Sequence, residues 1–355
     1  MNDYLYITIT PSQTLLQAIK RMDEVRCKLL LVMESDIFRG LLSIGDIQRA
    51  IIKNVSLDTP VTQVMRTDIV VCKEGDSYEH IRSEMIRCRA VFMPIMGEGG
   101  QVNRVVFWDE MFQDGLENKG GSNENTQGLG LPVVIMAGGK GTRLAPLTNI
   151  LPKPLLPYGK KTILENIMDC FVQAGCNRFY LSLNYKASMI RHYFAELNNV
   201  SYKIDFFEEE VPLGTCGSLS LMREKLKTPF FVSNCDIVIN QDLQEVWQYH
   251  QANKNELTVV AALKHVKLAY GSLETGEDGL LRNLSEKPEW VFKVNSGMYL
   301  LEPHLLDLIP ENSFFNMTDL MDILLSHNRR VGVFPVSEGS WSDIGNWEDY
   351  QRCLK

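Results

Sequence analysis

Between Gly138 and Lys153 the sequence gathers the residue types that bind phosphate. Gly138, Gly139 and Gly141 follow a short apolar run at 133–136, and Lys140, Arg143 and Lys153 supply three cations. Glycines let backbone amides approach a ligand and adopt positive φ. Successive amides turned inward form a nest for anionic oxygens. Arg143 can also hold two phosphate oxygens at once, which an ammonium cannot. Lys153 stands between Pro152 and Pro154, so it rides on a stiffened segment. The chemistry implied is the cradling of a polyphosphate. Asp236 follows a second apolar run, 230–233, and therefore also falls at a strand end. A carboxylate beside a phosphate cradle suits Mg²⁺, a hard ion that prefers oxygen ligands and substrate phosphates. Neither common glycine motif fits. Thr142 and Arg143 follow Gly141 where a P-loop needs Lys-Ser/Thr, and Leu144 stands where the dinucleotide fingerprint needs glycine.

These residues need elements to hold them. From residue 131 onward apolar strands alternate with helical patterns. Strands are expected at 178–183, 202–208, 230–234 and 257–263, with helices at 163–175, 187–197, 217–226 and 242–253. Such alternation predicts a mostly parallel α/β sheet covered on both faces. Ligands of that architecture gather at the carboxyl ends of the strands, where both the glycine cradle and Asp236 fall.

Composition bounds the rest. A chain of 355 residues is long for a single core, so two domains are expected. The formal charge of −8 leaves no broad basic face for nucleic acid or an anionic membrane. No apolar run is long enough to span a bilayer, and the start, Met-Asn-Asp-Tyr-Leu, lacks the features of a secretory leader. The eight cysteines include no Cys-x-x-Cys pair, so the spacing signals neither zinc nor a disulfide framework. A cytoplasmic location is the expectation.

Residues 1–115 carry a weak internal repeat at an offset of about sixty residues. Helix, strand, strand and helix are expected at 14–22, 29–33, 38–43 and 46–52, then again at 78–86, 90–95, 102–107 and from Asp109. Residues 116–130, rich in Gly, Asn and Ser, read as a flexible linker. The domain plan is therefore 1–115 (halves 1–56 and 57–115), linker 116–130, and 131–355.

The repeat resembles a tandem pair of cystathionine-β-synthase-type (CBS) domains. That family's adenosine-nucleotide site uses Gly-x-x-Ser/Thr-x-x-Asp. The first copy has Gly40, Ser43 and Asp46, whereas the second has Arg104, Phe107 and Glu110. At most one adenine nucleotide site is implied, at Ser43 and Asp46. Those two residues also fit a plain helix cap.

The run Gly138-Gly139-Lys140-Gly141-Thr142-Arg143-Leu144, with Pro152-Lys153-Pro154 after it, resembles the signature of the sugar-phosphate nucleotidylyltransferases. The resemblance implies a Rossmann-like domain in which Ala137, Gly138, Gly139, Gly141, Thr142 and Gly214 bind the nucleotide. It implies that Asp236 and Asp343, the latter in Trp-Ser-Asp-Ile-Gly, hold the metal. Leu213-Gly214-Thr215-Cys216-Gly217 resembles the family's Leu-Gly-Thr-Ala-Gly loop. Tyr270-Gly271, Ser285-Glu286-Lys287-Pro288 and the strand around Asn295 resemble its sugar-binding segments. Gly271, Glu286, Lys287 and Asn295 are the implied sugar-phosphate contacts, with Lys287 on the phosphate and Glu286 on a hydroxyl. The expected reaction joins a sugar 1-phosphate and a nucleoside triphosphate into a nucleotide-sugar and pyrophosphate. Arg143 and Lys153 serve as its catalytic cations and Mg²⁺ as its cofactor. The wording around Arg143 and Lys153 is closer to the guanylyltransferases, which points to GTP. A CBS pair fused before such a domain is similar to the glucosamine-1-phosphate guanylyltransferases of bacterial legionaminic acid synthesis. Glucosamine 1-phosphate is therefore the expected acceptor, with mannose or heptose 1-phosphate as the alternative. A nucleotide-sensing protein with an inactive transferase domain is the alternative of another class, and a homo-oligomer is expected.

Overall fold

The computed structural model describes residues 4–88, 90–111, 128–197 and 199–353. They fall into two compact units, Met1–Asn123 and Glu124–Lys355. Up to residue 127 the expected linker lies outside the described residues. Its last three residues are not loose. The amides of Leu129 and Gly130 donate to the carbonyls of Ala174 and Gly175 at 3.0 and 3.1 Å. A Cβ on Gly128 would lie 2.9 Å from Gly175 Cα, so two glycines make that backbone crossing. The second unit thus captures the chain from residue 128.

A seven-stranded sheet organises the second unit. Its strands, in chain order, are β1 (Val133–Met136), β2 (Arg178–Leu183), β3 (Lys203–Glu208), β4 (Phe230–Asn234), β5 (Leu257–Lys267), β6 (Glu289–Leu301) and β7 (Val331–Ser337). Their spatial order is β3-β2-β1-β4-β6-β5-β7. All run parallel except β6, which is antiparallel to both of its neighbours, β4 and β5. Val133, Val134 and Ile135 have no exposed surface, as expected of a strand covered on both faces. The helix Ile163–Gln173 buries Ile163, Leu164, Ile167, Met168 and Phe171, the stripe that helical periodicity aims at a core. Its start is fixed by a capping box between Thr162 and Glu165. The chain turns from β2 and β3 on one side of β1 to β4 on the other. A switch of this kind leaves a crevice at the strands' carboxyl ends.

Two expectations need correction. Residues 217–226 do not form an α-helix; Gly217–Met222 is a 3₁₀ segment. A Cβ on Gly217 would lie 2.6 Å from the carbonyl oxygen of Ser313, so this stretch is shaped by a distant loop rather than by its own periodicity. The strand expected at 257–263 also runs on to Lys267, paired with β6 along its whole length.

The first unit holds two similar halves. Thr8–Ile9, Leu29–Glu34 and Ile37–Ser43 form one three-stranded sheet, and Cys72–Lys73, Phe92–Met96 and Val102–Phe107 form the other. In each half the outer pair is parallel and the hairpin antiparallel. Helices Leu15–Val25 and Ile44–Ile52 answer to Tyr78–Cys88 and Trp108–Met111. The short leading strand of each half is an element the sequence reading lacks.

One ion-pair cluster ties the sheet of the second unit together. Glu256, just before β5, accepts from Arg329 Nε at 3.0 Å and lies 2.7 Å from His304 Nε2. Arg329 and then His304 hold the Glu256 carboxyl down to about 2, against burial. A carboxyl with a lowered folded pKa adds stability above its ordinary value and loses it as pH falls through the folded value. Between pH 4.5 and about 2, unfolding free energy is expected to drop by about 1–3 kcal/mol from this group, after discounting for solvent screening. Urea unfolding at a series of pH values checks this; Glu256→Gln should flatten the slope, and an unchanged slope contradicts it.

Candidate active site

The crevice beside β1 and β4 is a cavity of about 440 Å³. Gly138, Gly139, Gly141, Thr142, Arg143 and Lys153 line it from one side, and Gly214 and Asp236 face it from others. Gly141 has φ +65°, and a Cβ there would lie 3.0 Å from both Lys153 Cβ and Thr148 Cγ2. The position therefore requires glycine both for its backbone and for its closeness to Lys153. The Thr148 hydroxyl donates to the Gly141 carbonyl at 2.9 Å and holds the loop. Gly214 has φ +81°, and its Cβ would lie 2.7 Å from Phe315 O. The amides of Cys216 and Gly217 both donate to that same carbonyl, which zips the loop at 213–217 onto the one at 313–317.

Lys153 is 6% exposed, on a 3₁₀ turn directly after Pro152. Its ammonium donates to Asp236 Oδ2. Asp343 reaches the same place from the short strand Trp341–Asp343, which pairs antiparallel with Ile237–Ile239 and sets Asp343 opposite Ile237. The Ile344 amide donates to the Asp236 carbonyl at 2.8 Å, which locks the two aspartates side by side. Burial, then the Asp236 charge, push the Asp343 carboxyl above its ordinary value, against the pull of Lys153, the Gly345 amide and Arg143. Asp343 Oδ1 is buried and has no hydrogen-bond partner. An unpartnered buried acceptor beside a second carboxylate is costly, and a hard divalent cation would satisfy both. Asp236 and Asp343 are the residues that could hold one.

Other expected residues lie apart. Ala137 is 1% exposed and its amide donates to Ser182 O at 2.9 Å, so it joins β1 to β2 rather than facing the cavity. Gly271, Glu286 and Lys287 flank an exposed hairpin, Ser272–Thr275 with Leu281–Ser285, and do not line the cavity. A Cβ on Gly271 would approach Glu286 Oε2 to 2.9 Å, so those two meet. Asn295 accepts from the Gly297 amide at 3.1 Å at a bulge in β6. Gly297 in turn abuts Asn234, which does line the cavity. In the first unit, Ser43 and Asp46 form a capping box. Asp46 also accepts from Arg49 at 2.5 Å and from Arg66 at 3.0 Å.

Glu209 and Phe314 are among the lining residues that were missed. Glu209 takes the Ser182 hydroxyl at 2.5 Å and the Leu213 amide at 3.1 Å. In the run Glu208-Glu209-Glu210 nothing local marks the middle residue; only the end of β3 aims it inward. Phe314, 67% exposed at the cavity wall, lacked any motif. The cysteines nearby are inert: burial pushes the Cys216 and Cys235 thiols up to about 12, so neither is a nucleophile.

The model of the nucleotidyl transferase family matches residues 132–355. The chain belongs to this family. A CBS-domain model also matches residues 5–53. Among relatives, the mannose-1-phosphate guanylyltransferase catalytic subunit beta of Drosophila pseudoobscura pseudoobscura is 32% identical over 236 residues, covering 65% of this chain and 63% of that protein. The mannose-1-phosphate guanyltransferase of Debaryomyces hansenii is 34% identical over 228 residues, covering 61% and 62%. The chain thus spans less than two thirds of these relatives. The crystal structure of HddC from Yersinia pseudotuberculosis aligns with TM-score 0.50 at 29% identity, over 63% of this chain and 98% of that one; a second structure of it holds GMP-PN. A putative glucose-1-phosphate thymidylyltransferase from Bacillus anthracis, 18% identical with TM-score 0.51, covers 63% of this chain and 93% of its own and shares the fold. Among the described residues, no helix is long and apolar enough to cross a membrane.

Proposed function

We propose that the second unit transfers a guanylyl group from GTP to a sugar 1-phosphate and releases pyrophosphate. The observation that supports it most is the meeting of Lys153, Asp236 and Asp343 beside the Gly138–Gly141 loop, with one carboxylate oxygen left unpartnered. The sugar phosphate oxygen attacks the α-phosphorus in line. That oxygen is already ionised, so the reaction calls for positioning and charge neutralisation rather than a base. Arg143 and the loop amides hold the β- and γ-phosphates. Lys153 offsets charge near the α-phosphate, Lys287 takes the sugar phosphate and Glu286 a sugar hydroxyl, with Gly271 and Asn295 as the other expected contacts on the sugar side. Mg²⁺ held by Asp236 and Asp343 would supply charge neutralisation to the phosphates of both substrates.

Glu209 supports guanine. A carboxylate at the cavity wall offers acceptors to the paired N–H donors on guanine's Watson–Crick edge, which adenine does not present. Phe314 adds an apolar face. For the sugar, the curated relatives favour mannose 1-phosphate, whereas the CBS-type domain before the transferase favours glucosamine 1-phosphate. Pyrophosphate release with Mg²⁺, across four nucleoside triphosphates and the 1-phosphates of glucosamine, N-acetylglucosamine, mannose and glucose, tests this reading. One strong result with GTP is expected, and its sugar decides between the two acceptors; turnover confined to another nucleotide overturns the guanylyl assignment. Glu209→Gln should raise the KM for GTP by about 10- to 100-fold with a smaller change in kcat.

For the first unit we infer an adenine nucleotide as effector near Ser43 and Asp46. AMP or ATP should raise the thermal midpoint of the wild type and not of Asp46→Ala. No shift in the wild type would leave the capping box as the whole role of these residues.

A further inference from the structure

The second half of the first unit contains a donor set that the cysteine spacing did not signal. Cys72 Sγ, an Asp76 carboxylate oxygen and a His80 ring nitrogen all lie within 4.8 Å of one another. We propose that Cys72, Asp76 and His80 bind a divalent transition-metal ion of the zinc type. The three come from one short stretch: the strand Cys72–Lys73, the turn after it, and the first turn of the helix Tyr78–Cys88.

The turn is already set. Asp76 accepts the Lys73 amide through Oδ2 at 2.7 Å, and the Asp76 amide returns to the Lys73 carbonyl at 3.1 Å. The His80 amide donates to Ser77 Oγ at 3.2 Å, which fixes the start of the helix. Cys72 is 1% exposed, packed in the core of this half with Ile81, Met85 and Ile95, so the sulfur sits at the core's edge while His80 faces solvent. His80, Glu84 and Cys88 recur every four residues and share one helix face. Glu84 is held by Arg87 at 2.5 Å, and the donors that converge are Cys72, Asp76 and His80. Burial, then the charges of Asp76, Glu84 and Cys88, push the Cys72 thiol above its ordinary value. A cation reverses that balance: the metal–sulfur bond forms and one proton leaves to solvent.

The donor chemistry selects the ion. Thiolate and imidazole with a single carboxylate suit zinc and its neighbours, whereas Mg²⁺ takes oxygen ligands. The site is thus chemically distinct from the carboxylate pair at Asp236 and Asp343. Its structural effect would be to fasten a leading strand of only two residues to the helix behind it.

Co²⁺ is the probe. The full chain, stripped with chelator and titrated with Co²⁺ in excess Mg²⁺, should show a near-ultraviolet thiolate-to-cobalt absorption band that saturates at one ion per chain. The band should persist in Cys235→Ala, which removes the cysteine beside Asp236, and vanish in Cys72→Ala. Because loss of the buried thiol can also unfold this half, His80→Gln carries the decisive test. Its side chain is exposed, so the fold should survive while Co²⁺ affinity falls by about tenfold or more. No band in the wild type, a band lost in Cys235→Ala, or unchanged affinity in His80→Gln each overturns the proposal.

Discussion

Asp343→Asn is expected to lower kcat by about 10³-fold, yet to leave the Mg²⁺-free protein at least as stable as the wild type. The activity loss follows from removing half of the pair that would hold the metal, where several kcal/mol of charge stabilisation is at stake. The stability effect has the opposite sign because Asp343 is a liability without metal. Its carboxyl sits above its ordinary value, from burial and from Asp236 beside it. A carboxyl with a raised folded pKa binds more protons folded than unfolded, so it costs stability once pH exceeds that value. Asparagine removes the charge and offers an amide to the crowded Asp236. The measurement is a pair of thermal melts, with chelator and with Mg²⁺, alongside steady-state pyrophosphate release. The wild type should gain midpoint on adding Mg²⁺, and the variant should not. Turnover within about tenfold of wild type would remove Asp343 from the chemistry.

Lys153→Met should lose activity by a similar factor but move stability the other way. Lys153 is 6% exposed and paired with Asp236. Removing one partner of a buried pair leaves an uncompensated charge and costs about 3–5 kcal/mol. Here the abandoned Asp236 also faces Asp343, so the loss should be largest in chelator and partly recovered with Mg²⁺. Adding Asp236→Asn to Lys153→Met should restore much of the stability and none of the activity. If Lys153→Met melts like the wild type in chelator, the pair is not a structural element of the metal-free state.

The two variants show why the site was more legible than its energetics. Gly138, Gly139, Gly141, Arg143 and Lys153 are close in sequence, and their spacing alone describes a phosphate cradle. Asp236 was placed at a strand end by the apolar run before it. Asp343 had no such local cue, because its position depends on pairing with Ile237 across more than a hundred residues. Glu209 was invisible for the same reason: three glutamates in a row differ only in where β3 stops. The 3₁₀ segment at Gly217–Met222 was misread as an α-helix because its conformation follows the backbone at 313–315, which periodicity cannot sense. In the first unit the repeated elements were legible from apolar patterning, whereas the two-residue leading strands were too short to leave any pattern. A rule built on Cys-x-x-Cys spacing likewise passes over donors that a turn brings together.

The pairing of Trp341–Asp343 with Ile237–Ile239 also sets an order of assembly. During synthesis the cradle, Lys153 and Asp236 all emerge ahead of β5, β6 and β7, while Asp343 emerges after them. Lys153, the ammonium paired with Asp236, is in the chain before that last short strand arrives. An ammonium so placed would neutralise the first carboxylate before the second comes into place. The carboxylate pair is thus complete only when the fold closes, so on the proposed reading Mg²⁺ would wait for that last strand.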